Sequence, residues 1–307
     1  MVQDALCTIG LTFKLAALDN PIYLKGQGRT YLKLLQRQIT TYRNEDPPTQ
    51  PQYAVPVSLT QHLLQADQAA PRRNTKQATI ARLINIVFYY LLRVREYTKP
   101  TTKRKRTIPF RVGNVTFCTK EGDCIPITAP LQELLSAHKA TLKIDNQKNG
   151  LHGQTIHQEC TDDDNSPIKS LALQVHHILS NGGSATTPIY TYYNQPNKPS
   201  FITNSHINRA VRDGAKGIGL FSKRCAYEES DVSSHSLRAG GALAMHLAGV
   251  SVQKIKIQGR WKSNTFENYI HEQISAFSSG LSKKMTRNIP FRQIAGPTLH
   301  TPNAAAA

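Results

Sequence analysis

The chain reads as an α+β protein, mostly helical, with a small antiparallel sheet set between helices and a short helical piece in front. Three observations predict that class. Ala78 to Tyr97 is a long, strongly apolar stretch that reads as a core helix. Thr107 to Phe117 and Ala140 to Glu159 read as strand regions, and Asn149-Gly150 inside the second is a hairpin-turn signal. Ser166-Pro167 then gives an N-cap followed by a first-turn proline, and helical sequence continues from there.

In chain order, Thr30 to Arg43 has a rough apolar face from Leu32, Leu34, Leu35 and Ile39. Glu45 to Pro56, with Pro47, Pro48, Pro51 and Pro56, reads as a linker. Thr60 to Ala69 is helical and is followed by Pro71-Arg72-Arg73 and the long apolar helix. Lys103, Arg104, Lys105 and Arg106 form an uninterrupted basic run, and Leu131 to His138 is a short helix. The helix opened by Ser166-Pro167 runs through Leu171, Val175, Ile178 and Leu179 to Asn181-Gly182-Gly183. Further helices are expected over Thr203 to Gly214, His235 to Ala248 with Gly249 as a left-handed cap, Ser251 to Gln258, Asn264 to Tyr269 and Ser275 to Thr286. The Thr301 to Ala307 tail reads as disordered. This divides the chain into a helical N-terminal segment with linker over 1–56, a large domain over 57–287 and a tail over 288–307.

The charge balance points to a polyanion. Thirty-eight Lys and Arg stand against 20 Asp and Glu, a formal charge of +18, and the pI is about 9.8. The five cysteines, Cys7, Cys118, Cys124, Cys160 and Cys225, include no Cys-x-x-Cys pair, which speaks against a secreted disulfide framework or a metal site and for a reducing interior. The most apolar window, Ile80 to Leu92, contains Arg82 and Asn85 and is too short to cross a bilayer. The N-terminus carries no secretory pattern.

The densest chemistry lies at His235-Ser236-Leu237-Arg238, Gly259-Arg260-Trp261 and Tyr269. His235 and Arg238, three residues apart on a helix, point from one face toward a shared ligand. A planar guanidinium beside an imidazole donor suits two non-bridging phosphate oxygens, and Tyr269 supplies a phenol able to attack phosphorus.

These residues resemble the catalytic domain of tyrosine recombinases, the phage-integrase type, with the flavour of recombinases from DIRS-like and Crypton mobile elements. The resemblance covers roughly Val57 to Met285 and is strongest from His235 to Tyr269. It implies a first arginine on a helix in an Arg-x-x-Glu pattern, matched by Arg93 with Glu96 as an orienting carboxylate. The turn lysine is matched by Lys148, with Lys143 the other contender. Trp261 stands where many members have histidine and others tryptophan. Tyr269 follows Trp261 by one residue fewer than the common bacterial spacing. Ahead of the catalytic domain such proteins carry a four-helix DNA-clasping domain, whereas some 70 residues precede the Ile80 helix here; a truncated clamp is therefore expected.

The resemblance implies a definite chemistry. Donors from Arg93, His235, Arg238 and the Trp261 N–H would stabilise charge gathering on the phosphate oxygens, so that neither metal nor ATP is needed. Tyr269 would form a 3′-phosphotyrosine, and Lys148 would protonate the leaving 5′ hydroxyl. The implied partner is double-stranded DNA, contacted by Lys103, Arg104, Lys105 and Arg106 among others, with self-assembly as a dimer or tetramer on it. The expected location is intracellular, nuclear in a eukaryote. Two other readings stay open: a DNA-binding protein of the same fold without strand exchange, and a relaxing activity of the type IB topoisomerase kind.

Overall fold

The computed structural model describes residues 9, 11–13, 15–16, 52–70, 75–101, 107–145, 153–161, 163, 165–223, 225 and 227–261. The chain separates into two compact units, Met1–Gln50 and Pro51–Ala307. In the first, the described residues 9, 11–13 and 15 are helical. The second contains everything below. The expected segments Thr30 to Arg43, Asn264 to Tyr269, Ser275 to Thr286 and the tail lie outside the described residues.

The second unit is α+β and mostly helical. Its centre is α2 (Thr75–Tyr90), buried on nearly every side from Ala78 to Phe88. A helix buried all round must be packed by neighbours on all faces. Those neighbours are α1 (Val57–Ala69), α5 (Pro167–Ser180), α6 (Asn204–Gly217) and α7 (Ser234–Leu247). The Asn85 side-chain amide on α2 finds acceptors within this packing. Asn85 donates to the Asn165 carbonyl at 2.8 Å and to Ser170 Oγ at 2.9 Å. Tyr53 to Val55, at the end of the stretch read as linker, pack inward: the Tyr53 N–H donates to Asp231 O, and Val55 is buried.

The expected single helix Ala78 to Tyr97 breaks in two. Leu91 takes a left-handed conformation, φ 49°, and the chain restarts as the short α3 (Val94–Tyr97) with Arg93 as its N-cap. Arg93 is therefore a capping residue and not part of the core helix. No glycine or proline marks the break; it persists because the Leu91 carbonyl, turned out of the helix, is taken up by two arginine side chains described below.

The sheet has strand order β2-β1-β3-β4, all antiparallel, from β1 (Val115–Cys118), β2 (Cys124–Ile125), β3 (Lys139–Ile144) and β4 (Gln154–Glu159). Alternation is clear on β3, where Ala140, Leu142 and Ile144 point into the core. The long strand expected over Thr107 to Phe117 is shorter, because Val112–Asn114 forms a 3-10 turn. The β3–β4 connection, with Lys148 and Asn149-Gly150, lies outside the described residues. The short helix α4 is Leu131–Leu135.

The sequence reading missed a second, two-stranded sheet, β5 (Thr191–Gln195) with β6 (Lys198–Phe201). Its signal was present in the Tyr192-Tyr193 pair followed by Pro196-Asn197, and Asn197 does adopt the left-handed turn conformation, φ 58°. The hairpin is tied down from α5: Gln174 donates to the carbonyls of Ile189 and Thr191 at 3.0 and 2.9 Å.

Helix α7 presses closely on α2 through its paired glycines. A Cβ on Gly241 would lie 2.1 Å from the Phe88 carbonyl oxygen, and one on Gly240 would lie 2.1 Å from that of Val55. Both obstacles are backbone, so α7 must move away from α2 and from the segment at Val55 to admit a methyl. Gly241→Ala is expected to destabilise the protein by about 1–3 kcal/mol, as overpacked cores do. Denaturant unfolding checks this; a variant as stable as the parent would mean that α7 is free to shift.

Candidate active site

Helix α7 begins with a built cap. The Ser233 hydroxyl accepts from the His235 N–H at 3.2 Å, and the Ser236 hydroxyl accepts from the Ser233 N–H at 3.0 Å. His235 stands exposed in the first turn, and Arg238 lies one turn on along the same face. Partial shielding of the ring from water, and then the neighbouring Arg238 charge, lower the His235 pKa, which favours the neutral imidazole. The positive end of the dipole at such a helix start favours an anion.

Arg238 is buried, 9% exposed, and both terminal nitrogens donate to backbone carbonyls, those of Leu91 and Gly259. Its guanidinium lies over the Trp261 ring, 4.1 Å from the centroid. That stacking holds the fork flat and in one orientation. Gly259 is required for it, since a Cβ there would overlap the Trp261 ring, 1.6 Å from Cζ3.

The Arg-x-x-Glu spacing has a local cause. Glu96 is the third residue of α3, and its carboxylate reaches back to accept the Arg93 N–H at 2.8 Å, closing the start of the helix. The same carboxylate accepts from Arg93 Nη1 at 3.3 Å. Arg93 Nη2 donates on to the Arg260 carbonyl at 2.9 Å.

The sequence reading assigned no role to Arg260, and the structure puts it at the centre. It ends α8 (Val252–Gly259) in the left-handed conformation, φ 58° and ψ 41°. From there its guanidinium pairs bidentately with Glu96 at 2.9 and 3.0 Å, and donates to the Leu91 carbonyl at 3.0 Å. Arg260 and Glu96 are 6% and 1% exposed, so the pair is shielded from water. Burial lowers the Arg260 pKa, Glu96 opposes that, and Arg93 adds to it.

Arg93, Glu96, Arg238 and Trp261 thus meet in one cluster stitched by Arg260. Leu91 and Arg260 are two of only three non-glycine positive-φ residues among the described residues, and both adjoin it. Each such backbone conformation costs on the order of 1–3 kcal/mol, which persists only where the surroundings over-determine it. Three guanidinium groups gather there around one carboxylate, Glu96, which pairs with Arg93 and Arg260, an excess of positive charge suited to an anion. Beside it opens a cleft of about 450 Å³ bordered by Gln154, Lys256, Arg260 and Trp261. Gln154 begins β4 opposite Ile144, so the β3–β4 connection starts at the rim of this cleft. Lys143, opposite Thr155 on β3, is exposed. Lys148, Tyr269 and the run Lys103, Arg104, Lys105 and Arg106 lie outside the described residues.

No family model matches the chain, and no curated protein matches it in sequence. Solved structures do resemble it. XerH site-specific recombinase, bound to palindromic difH substrate in a post-cleavage complex, is 14% identical with a TM-score of 0.46, over 76% of this chain and 54% of that one. XerA recombinase is 15% identical with a TM-score of 0.45, over 93% of this chain and 76% of its own. The Tn1549 transposon integrase in complex with transposon right end DNA is 11% identical with a TM-score of 0.40, over 77% and 68%. The chain spans about half the length of XerH.

Among the described residues, no helix is long and apolar enough to cross a membrane, and no group of three or more His, Cys, Asp or Glu is placed to hold a metal ion.

Proposed function

We propose that the chain is a DNA strand transesterase of the tyrosine-recombinase type, closest in kind to the recombinases of DIRS-like and Crypton elements. It cuts and rejoins double-stranded DNA through a 3′-phosphotyrosine at Tyr269, as a dimer or tetramer on its site, inside the cell and in the nucleus of a eukaryote. The supporting observation is the meeting of Arg93, Arg238 and Trp261, which come from distant parts of the chain, around the buried Glu96–Arg260 pair.

In this reading the chain's own residues divide the work. Arg93 and Arg238 turn their donors to the non-bridging oxygens of the scissile phosphate, and neutral His235 adds an N–H at the helix start. Glu96 and Arg260 hold Arg93 in place. The excess positive charge lowers the cost of forming the Tyr269 phenolate, since the free phenol has a pKa near 10. Lys148, on the connection that begins at the cleft rim, delivers a proton to the 5′ hydroxyl that leaves. The phosphotyrosine conserves the bond until another 5′ hydroxyl attacks it.

The test is covalent trapping on a nicked suicide substrate. A protein–DNA adduct that survives denaturation supports strand exchange; tight binding with no adduct supports the DNA-binding reading. The basic run is tested separately. Neutralising Lys103, Arg104, Lys105 and Arg106 together is expected to weaken binding and to flatten the dependence of log Kd on log salt by up to about 4 × 0.9 units, one increment per lost phosphate contact. Identical salt slopes for the two proteins would remove this run from the DNA interface.

A further inference from the structure

We infer that Cys118 and Cys124 form a redox modification site, a cross-strand dithiol that reacts with low-molecular-weight disulfides such as oxidised glutathione. The inference stands apart from the DNA chemistry and rests on strand register. Cys118 ends β1 and Cys124 begins β2, and the two are direct partners in the antiparallel ladder. The next pair along, Thr119 and Asp123, is joined by the Thr119 N–H donating to the Asp123 carbonyl at 2.9 Å. Hydrogen-bonded and non-hydrogen-bonded pairs alternate, so Cys118 and Cys124 occupy a non-hydrogen-bonded site, where Cα atoms sit ~4.5 Å apart and side chains approach most closely. That spacing lies inside the range of roughly 4.4–6.8 Å that a disulfide spans.

The side chains agree with the register. Both cysteines are free, and no disulfide joins them. Their neighbours Phe117 and Ile125 point into the core, so the pair lies on the opposite, outer face of the hairpin. Cys124 is exposed and Cys118 partly so, which gives a small disulfide access to the first sulfur. Burial, and then the neighbouring Cys124, raise the Cys118 pKa, and Lys139, opposite Cys118 on β3, places a cation beside the pair that offsets this only in part, so the exposed Cys124 is the thiol that attacks first. Cys160 is engaged elsewhere, its sulfur 3.5 Å from His138 Nδ1.

The reaction balances. The Cys124 thiolate attacks one sulfur of the small disulfide, forming a mixed disulfide and releasing one small thiolate, which takes up the proton Cys124 gave up. The Cys118 thiolate then attacks the Cys124 sulfur and expels the second small thiol. Two electrons pass from the protein dithiol to the small disulfide, which ends as two thiols. The product clips β2, an edge strand of only two residues, to the hairpin.

The full-length protein is titrated with defined ratios of oxidised and reduced glutathione, then alkylated, digested and mapped by mass spectrometry. The expected product is an internal Cys118–Cys124 disulfide that lacks two hydrogens and carries no glutathione, and that reverts with excess reduced glutathione. Cys118→Ser removes the resolving thiol and should leave glutathione attached to Cys124. A disulfide mapped to any other pair, separate glutathione adducts on both cysteines of the unaltered protein, or two thiols that stay unreacted would overturn the site.

Discussion

Glu96→Ala is expected to destabilise the protein by about 3–5 kcal/mol, the range found when one partner of a buried ion pair is removed. The cause is the charge left behind. Arg260 would stay buried with the Leu91 carbonyl as its remaining acceptor, and Arg93 would lose the carboxylate that closes the start of α3. Glu96→Gln separates charge from shape: it fills the same volume but offers only one accepting oxygen to a two-pronged donor, so a smaller but still large loss is expected. Replacing both partners, Glu96→Leu with Arg260→Met, should recover part of the stability by removing the stranded charge. Urea denaturation at constant slope reads all three variants. A Glu96→Ala protein within about 0.5 kcal/mol of the parent, as surface substitutions are, would mean that the pair is not held in this geometry.

The second large effect concerns the two arginines proposed to grip phosphate. Arg238→Lys keeps the charge but loses the flat fork that reaches two carbonyls while stacking on Trp261. Arg93→Lys likewise cannot satisfy Glu96 and the Arg260 carbonyl together with a phosphate. Under the proposed function each should lower the cleavage rate on a suicide substrate by about 10²–10³-fold, the loss seen when one donor to a developing negative charge is removed. DNA affinity should change only a few-fold, because it rests on many phosphate contacts. Wild-type cleavage rates in either variant would take that arginine out of the proposed phosphate grip.

Local rules made much of this architecture readable. Ser166-Pro167 and the Asn181-Gly182-Gly183 stop frame α5, and Gly249 takes the left-handed conformation, φ 79°, that its position after α7 called for. The region Ala140 to Glu159, read as strand, contains most of β3 and all of β4. What escaped depends on partners far along the chain. The break at Leu91 has no local marker, because it is fixed by side chains arriving from α7 and from the end of α8. Strand β2 has two residues, too few for any period to register. Arg93, Glu96, Arg238 and Trp261 were named together only through the resemblance to tyrosine recombinases, and they do meet in the structure. Arg260 was hidden in plain view between Gly259 and Trp261, since a buried arginine looks like a surface one until its carboxylate, Glu96, is brought to it.

The most direct measurement is the chemical identity of the residue that carries DNA after incubation with a nicked suicide substrate. The trapped adduct is digested with protease and nuclease, and the nucleotide-bearing peptide is sequenced by mass spectrometry, with Tyr269→Phe run in parallel. The account predicts a 3′-phosphate ester on Tyr269 and no adduct in Tyr269→Phe, which should still bind DNA with nearly unchanged affinity because only the attacking oxygen is lost. An adduct on another residue, an adduct that persists in Tyr269→Phe, or DNA binding with no adduct at all would contradict it.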